Sequence, residues 1–353
     1  MKALLIGGTG TISKAVAERA ILEGWELSLL NRGISGQVLD NAEVLIGDIN
    51  TDETAIAGLL ADRFFDVIAD FIAYRPDQIE RDIRLLSGKT RQFIFVSSAS
   101  AYQKPLNYYR ITESTPLANP FWDYSRNKIA CEELLSRAYR STGFPFTIVR
   151  PSHTYGERSV PVAVHGSKGS WQVIDRIRSG KPVIIHGDGT SLWTLTHNSD
   201  FAKGFCGLMG NPAAIGEAVH ITSDESLSWN HIYDCIGAAL DVPVLKYHIS
   251  SDFLASCDPK FAGTLGGDKA YSVVFDNSKL KRLVPSFQAE VRFDQGVRRC
   301  IDYLLSHPEA QTPDPEFDSF CNRIIAVQDA AIRIIHDVKP GVFDLTGRKL
   351  RKI

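Results

Sequence analysis

Several residue patterns that define common protein classes are absent from this chain of 353 residues. Its six cysteines lie far apart and form no CxxC pair, which argues against a disulfide framework. Its nine histidines show no HxxxH or HxH spacing, so no metal site is predicted. No apolar run approaches the length of a membrane-spanning helix, and a net charge of −2 gives no general attraction to nucleic acid or anionic membranes. These absences predict a cytoplasmic protein with reduced thiols.

What the sequence does contain is a regular alternation of short apolar runs and helix-length segments. The first run is "ALLI", and the later ones are "ELSLLNRG", "AEVLIGD", "FDVIADFIA", "RQFIFVSSAS" and "FPFTIVRPS". This alternation predicts a doubly wound parallel sheet of the α/β class, the Rossmann fold. Because right-handed crossovers bring the carboxyl ends of such strands to one edge, a ligand is expected there.

The pattern loosens after Gly156, which suggests a second, smaller part of the chain. We assign residues 1–155 to a Rossmann domain, to which residues 196–224 return. A mostly helical C-terminal lobe for the substrate would comprise residues 156–195 and 225–330. Residues 331–353 are interpreted as a tail, either frayed or folded into a hairpin that turns at Thr346 and Gly347.

A glycine-rich loop follows the first apolar run in "GGTGTIS". Gly7, Gly10 and Ser13 occupy the three positions of a GxxGxxG pattern, with serine in place of the last glycine. Gly7 would permit the tight turn and Gly10 the close approach of a pyrophosphate. Thr11 and Ile12 would then present the N–H groups at the start of a helix to the same phosphates. An ordinary tight turn between strand and helix is the alternative interpretation.

The residues at the ends of the next strands indicate which dinucleotide would bind. The second strand ends in Asn31 and Arg32, with no acidic residue for a ribose 2′-hydroxyl. A guanidinium pairs well with a 2′-phosphate, so NADP is predicted over NAD, unless Arg32 only stacks on the adenine. Asp48 would meet the adenine or cap a helix. Phe71 and Ala73, which follow the fourth strand, are also assigned to the cofactor site.

The segment "YSRNK" places Tyr124 and Lys128 four residues apart, on one face of a predicted helix. A solvent-exposed amphipathic pair is the alternative to a catalytic role. Together with "GGTGTIS", "VSSASAY" and "RPSHTYG", in that order and spacing, this segment resembles the extended short-chain dehydrogenase/reductases, the NAD(P)-dependent epimerase/dehydratase family. The motifs cover about residues 1–205, and a looser likeness continues to about residue 310.

The resemblance implies a role for each matching residue. Tyr124 would be the general acid/base, and Lys128 would favour its phenolate and bond the ribose of the nicotinamide half of the cofactor. Ser98 would bond the reacting oxygen, and Pro151 and His153 would line the nicotinamide pocket. His153 is equally consistent with a buried, hydrogen-bonded histidine. Members of the family commonly pair through two long helices each, so a homodimer is expected.

Two positions depart from the family pattern. Ala99 and Ser100 stand where sugar dehydratases carry an acidic pair, which argues against a 4,6-dehydratase. Trp193 stands where an arginine usually grips the phosphates of a sugar nucleotide, and an indole cannot neutralise phosphate. "LLNRG" and "SLWTLTH" are similar to the atypical branch that includes chloroplast stem-loop-binding proteins.

The sequence therefore predicts an NAD(P)-dependent epimerase or oxidoreductase acting at a secondary alcohol carbon of a small molecule similar to a sugar nucleotide. The alternative is a non-catalytic member of the atypical branch that senses a dinucleotide or binds RNA. The absence of a basic charge balance makes nucleic acid an unexpected partner.

Overall fold

The computed structural model describes residues 1–33 and 39–337, so the hairpin predicted at Thr346 and Gly347 lies outside the described residues. Its centre is a parallel sheet of seven strands in the order β12-β7-β5-β4-β1-β2-β3. The doubly wound α/β fold predicted from the sequence is confirmed. The strands of the described chain are β1 (Lys2–Ile6), β2 (Glu26–Asn31), β3 (Ala42–Ile46), β4 (Phe65–Asp70), β5 (Thr90–Val96), β6 (Arg110–Ile111), β7 (Phe146–Pro151), β8 (His153–Tyr155), β9 (Val183–His186), β10 (Leu192–Trp193), β11 (Leu195–His197), β12 (Ala218–Ile221), β13 (Leu227–Ser228), β14 (Lys246–Ile249) and β15 (Val274–Phe275).

Helices cover both faces of this sheet and build most of the second half of the chain. They are α1 (Thr11–Leu22), α2 (Glu53–Leu59), α3 (Pro76–Leu86), α4 (Asp123–Thr142), α5 (Trp171–Arg178), α6 (Asn198–Leu208), α7 (Trp229–Leu240), α8 (Ser251–Cys257), α9 (Ser278–Leu283), α10 (Phe293–Ser306) and α11 (Pro315–Asp337). A π-helical segment spans Ala262–Lys269. Helix α11 continues past residue 330, so the first seven residues of the tail predicted at 331–353 belong to a helix.

The apolar run of β1 is buried on both sides because the sheet has a helical layer on each face. Ala3 and Leu5 pack in one core with side chains of α1 and α6. Leu4 and Ile6 pack in the other core with side chains of α2, α3 and α4. This two-sided burial fixes the strand ends, and with them the loops that follow each strand.

A third core holds the second half of the chain together. Its short strand pairs, β9 with β14 and β10 with β13, flank helices α5, α7 and α10. The pair of β8 and β11 follows directly after β7, and β12 (Ala218–Ile221) joins the main sheet beside β7. This part of the chain therefore lies next to the carboxyl ends of the sheet strands.

Two helix caps differ from the sequence interpretation. The side chain of Asp52, not that of Asp48, caps α2 by accepting a hydrogen bond from the N–H of Ala55. His197 caps α6 by accepting from the N–H of Ser199, whereas the segment "SDFAKGFCGLM" predicts Ser199 or Asp200 as the capping residue. In both cases the capping residue lies within about one turn of the residue that the local sequence indicates. Local sequence patterns place the ends of a helix only to within a few residues.

None of the helices in residues 1–33 and 39–337 is long and apolar enough to cross a bilayer. Within the same ranges, no group of three His, Cys, Asp or Glu side chains is arranged to hold a metal ion.

Candidate active site

The glycine loop after β1 forms a cradle that requires the absence of side chains. Gly7 has φ of +84°, and a Cβ there would overlap the side chain of Ile72. The hydroxyl of Ser13 donates to the carbonyl of Gly7 (2.7 Å) and accepts from the N–H of Gly10 (2.9 Å). Ser13 therefore fastens the loop through its hydroxyl, which the third glycine of the pattern could not do.

The cradle opens into a cavity of about 680 Å³ at the carboxyl ends of the strands. Thr11 and Ile12 line this cavity, and N–H groups in the first turn of a helix have no intrahelical acceptor. A cavity with a side-chain-free turn and free N–H groups at one end fits the linking phosphates of a dinucleotide. We call it the dinucleotide cleft. Of the predicted cofactor residues, it is lined by Gly7, Gly10, Thr11, Ile12, Asn31, Arg32, Asp48 and Phe71.

The residues at the far end of the cleft differ in what holds them. Asn31 accepts a hydrogen bond from the N–H of Gly8 (3.0 Å), so its amide also supports the glycine loop. Asp48 accepts from the N–H of Asn50 (3.0 Å). Arg32 is exposed at the rim, where a guanidinium can reach a ribose phosphate.

A smaller cavity of about 210 Å³ adjoins the dinucleotide cleft, and we call it the reaction pocket. Tyr124 and Ser98 both line it, so the phenol and the serine hydroxyl share this space. Burial raises the pKa of Tyr124, and the neighbouring hydroxyl of Ser98 acts in the opposite direction. The Ser98 hydroxyl also lies 2.9 Å from that of Ser100, which accepts from the hydroxyl of Ser125 (2.9 Å). A chain of hydroxyl groups thus fixes Ser98 beside the phenol.

Lys128 lies on the same helix, buried behind the wall of both cavities. Its ammonium donates to the carbonyl groups of Ala73 (2.7 Å) and Val96 (2.6 Å), and it lies 5.7 Å from the centre of the Tyr124 ring. Burial lowers the pKa of Lys128 to about 8. The Ala73 side chain packs in the core and is absent from the lining of the dinucleotide cleft, so Ala73 contributes its carbonyl to Lys128.

The end of β7 and the start of β8 form another wall of the reaction pocket. Pro151 and His153 line it together with Trp193, whose indole N–H donates to Nδ1 of His153 (3.2 Å). Burial lowers the pKa of His153 to about 3, so the imidazole is neutral near pH 7. His153 and Pro151 therefore border the smaller cavity rather than the dinucleotide cleft.

The sequence interpretation missed two charged residues of the same pocket. Asp268 and Lys269, at the end of the π-helical segment, line the side opposite the sheet. The segment "GGDKAY" that contains them matches no motif with a chemical meaning, and only the fold brings it near Tyr124. The one local feature that could have drawn attention to these two residues is the glycine pair directly before two opposite charges.

A pair of buried carboxyl groups supports the loop in front of Lys128. Asp70 ends β4 and accepts from the N–H groups of Ile72 and Ala73 (2.6 and 2.7 Å). Asp82 on α3 accepts from Arg81, and its carboxyl group interacts with that of Asp70. Neither Oδ2 has a hydrogen-bond donor among residues 1–33 and 39–337. One proton between them would satisfy both oxygens, and burial raises the pKa of Asp82 well above its usual range.

This arrangement predicts how stability depends on pH. A carboxyl with a raised pKa keeps its proton in the folded state after the unfolded chain has lost it, so stability falls as pH rises through the folded pKa. An amide at position 82 resembles the protonated acid. We expect the urea midpoint of the wild type to fall as pH rises above the ordinary aspartate pKa of about 4, and that of Asp82→Asn to fall less.

Asp77→Asn serves as the matched control, because Asp77 is exposed on the same helix. It should leave the wild-type pH dependence in place. Identical pH profiles for the wild type and Asp82→Asn would contradict the shared proton.

The sequence is similar to that of a known protein family and to several known proteins. A model described as "NAD dependent epimerase/dehydratase family" matches residues 3–222. A 2'-dehydrokanamycin reductase from Streptomyces kanamyceticus is 25% identical over 288 residues, which cover 82% of this chain and 80% of that protein. The chloroplast stem-loop binding protein of 41 kDa b from Arabidopsis thaliana is 24% identical over 245 residues, 65% of this chain and 60% of that protein.

Solved structures share the fold. The UDP-glucuronic acid 4-epimerase of Bacillus cereus, determined with UDP-glucuronic acid and NAD, superposes with a TM-score of 0.70 and 19% identity. The superposition covers 87% of this chain and 99% of that structure. At this identity the likeness concerns the fold alone.

Proposed function

Because the chain belongs to the NAD dependent epimerase/dehydratase family, we propose that it interconverts a secondary alcohol and a ketone on a sugar-like small molecule. The observation that carries this proposal is that Tyr124 and Ser98 line the same pocket, with the ammonium of Lys128 5.7 Å from the centre of the Tyr124 ring. The fold and the family match support a nicotinamide dinucleotide as the cofactor.

The bound nicotinamide would supply or accept the hydride. In the reducing direction, Tyr124 gives its phenolic proton to the substrate oxygen as the carbonyl carbon becomes an alcohol carbon. Ser98 bonds the same oxygen and orients it. The ammonium of Lys128, held by two carbonyl groups, lowers the cost of the phenolate that remains on Tyr124.

Reduction and epimerisation both fit these residues. The reductase relative, matched over most of its length, supports a redox reaction with release of the cofactor. An epimerase would retain its cofactor, so the nucleotide that remains bound through purification separates the two. Dehydration is disfavoured because Ala99 and Ser100 carry no carboxyl group, and Asp268 is the single carboxyl that lines the reaction pocket among the described residues.

The test is direct. Purified protein is mixed with reduced nicotinamide cofactor and a cyclic polyhydroxyketone, and the loss of nicotinamide absorbance is followed. Epimerisation consumes no cofactor, so it is followed by separating the sugar products. No consumption of either cofactor with ketones, together with no epimerised product from sugar nucleotides, would contradict the proposed function.

Arg32 underlies our proposal that NADP is preferred. Its guanidinium would pair with the 2′-phosphate, and a hydrogen bond between charged groups contributes about 1.5–3 kcal/mol, or roughly 10-fold to 100-fold in affinity. We expect Arg32→Ala to weaken NADPH binding by about that factor and NADH binding by less than about 3-fold. Fluorescence titration of both cofactors measures the difference.

The control for this titration is Arg63→Ala, which removes an arginine that is bound to Glu43 on the adjacent strand. It should affect both cofactors equally. If Arg32→Ala weakens NADH and NADPH by the same factor, Arg32 contacts only what the two cofactors share.

The stem-loop-binding relative supports a second candidate, an RNA-binding protein without turnover. RNA affinity that falls steeply with salt and survives Tyr124→Phe would favour it. A homodimer and a cytoplasmic location also remain proposals, and sedimentation analysis tests the first of them.

A further inference from the structure

Two opposite charges, on consecutive residues, line the reaction pocket. Asp268 and Lys269 both line the pocket and are partly buried. Across the described part of the chain, neither side chain makes a hydrogen bond or a salt bridge. Charged groups that are removed from water without a partner are costly, and at the rim of a reaction site they point to a ligand.

These two residues are held in a fixed position relative to the catalytic loop. The amide of Asn119 donates both to the carbonyl of Ser100 (2.7 Å) and to that of Gly267 (2.6 Å). The backbone carbonyl of Lys269 accepts from Nε2 of His186 (2.8 Å). The charged pair therefore faces Tyr124 from a rigid support, and π-helical turns of this kind occur frequently at functional sites.

The carboxyl group of Asp268 gives the pocket a hydrogen-bond acceptor in either protonation state. Burial raises the pKa of Asp268, and the positive charges of Lys104 and Lys269 act in the opposite direction. Lys104 is buried and has no hydrogen-bond partner among the described residues. Lys269 is the single cation among the described residues that line this pocket, because His153 is neutral. One acceptor beside one donor suits neighbouring hydroxyl groups, each of which donates and accepts.

Size and wall chemistry restrict the ligand further. The pocket volume of about 210 Å³ is smaller than the roughly 300–1,000 Å³ typical of sites for drug-sized ligands. Trp122, Trp193 and Phe275 supply apolar walls that suit the C–H faces of a ring. A diphosphate would bring two negative charges to a wall with one ammonium and an adjacent carboxylate.

We propose that the substrate is an uncharged, single-ring polyhydroxylated compound, such as a sugar or cyclitol ketone, and not a sugar nucleotide. Asp268 accepts from one ring hydroxyl and Lys269 donates to its neighbour, which makes both of them specificity-determining residues. This inference rests on the proposed function, since it places the ring carbonyl between Ser98 and Tyr124.

The experiment compares 2-keto-myo-inositol, an uncharged ring ketone, with UDP-glucose as probes. We expect reduction of the ketone, and KM should rise about 10-fold to 100-fold in Asp268→Asn and in Lys269→Gln, with kcat changed by less than about 3-fold. The matched controls are Asp258→Asn and Lys260→Gln, which make the same changes in an ion pair of 2.9 Å upstream of the π-helical segment. They should leave KM unchanged.

Calorimetry with myo-inositol and with UDP gives a readout that does not depend on turnover. Binding of myo-inositol that is weakened in Asp268→Asn supports the proposal, and tight binding of UDP overturns it. Turnover of UDP-glucose that is lost in Tyr124→Phe but unchanged in Asp268→Asn would overturn the substrate class and leave the proposed function standing. Hydride transfer neither to the ring ketone nor from UDP-glucose would also overturn the substrate class.

Discussion

Tyr124→Phe is expected to lower kcat by about 10²-fold to 10⁴-fold, the usual contribution of a positioned general acid. The substitution removes the phenolic proton and leaves the ring in place, so the packing against Trp122 at 5.0 Å is retained. Cofactor affinity should stay within about 2-fold, because the phenol lines the reaction pocket and not the dinucleotide cleft. Steady-state kinetics and a cofactor titration measure the two effects separately.

Tyr109→Phe makes the same chemical change at an exposed tyrosine and should leave kcat unaltered. Ser98→Ala should also lower kcat, because the hydroxyl that orients the substrate oxygen is lost. A Tyr124→Phe enzyme with wild-type turnover would remove the basis of the proposed mechanism.

The second large effect concerns stability and is expected from Arg150→Met. Arg150 is 4% exposed and donates to both carboxylate oxygens of Glu132, while Ser97 donates to the same carboxylate. Removing the guanidinium leaves a buried carboxylate without its cation, which costs about 3–5 kcal/mol in free energy of unfolding. Urea unfolding followed by circular dichroism measures the loss.

Two further variants make this prediction specific. Arg91→Met breaks an exposed ion pair with Asp66 and should cost less than about 1 kcal/mol. The double variant Arg150→Met with Glu132→Leu should be more stable than Arg150→Met alone, because an apolar pair replaces the uncompensated charge. A double variant as unstable as the single one would show that packing of the guanidinium, not its charge, dominates.

The ion pair also explains a limit of sequence reasoning. Glu132 lies one turn beyond Lys128 on α4, and Arg150 lies in β7, so each looks like an ordinary charged residue in its own segment. Nothing in either local pattern indicates that the two side chains meet in the interior. Their pairing follows from the packing of α4 against the sheet.

The amino-acid sequence by itself determined the parallel sheet, the glycine loop and the Tyr124 and Lys128 pair. Each of these depends on contacts between residues close in sequence, or on the general rule that parallel strands end at one edge. Tertiary structure alone decided that Asp268 and Lys269 face Tyr124, that Asp70 and Asp82 share a buried site, and that Ala73 offers its carbonyl to Lys128. These contacts join segments far apart along the chain, and the free energy that brings them together comes from burying side chains whose partners no local pattern specifies.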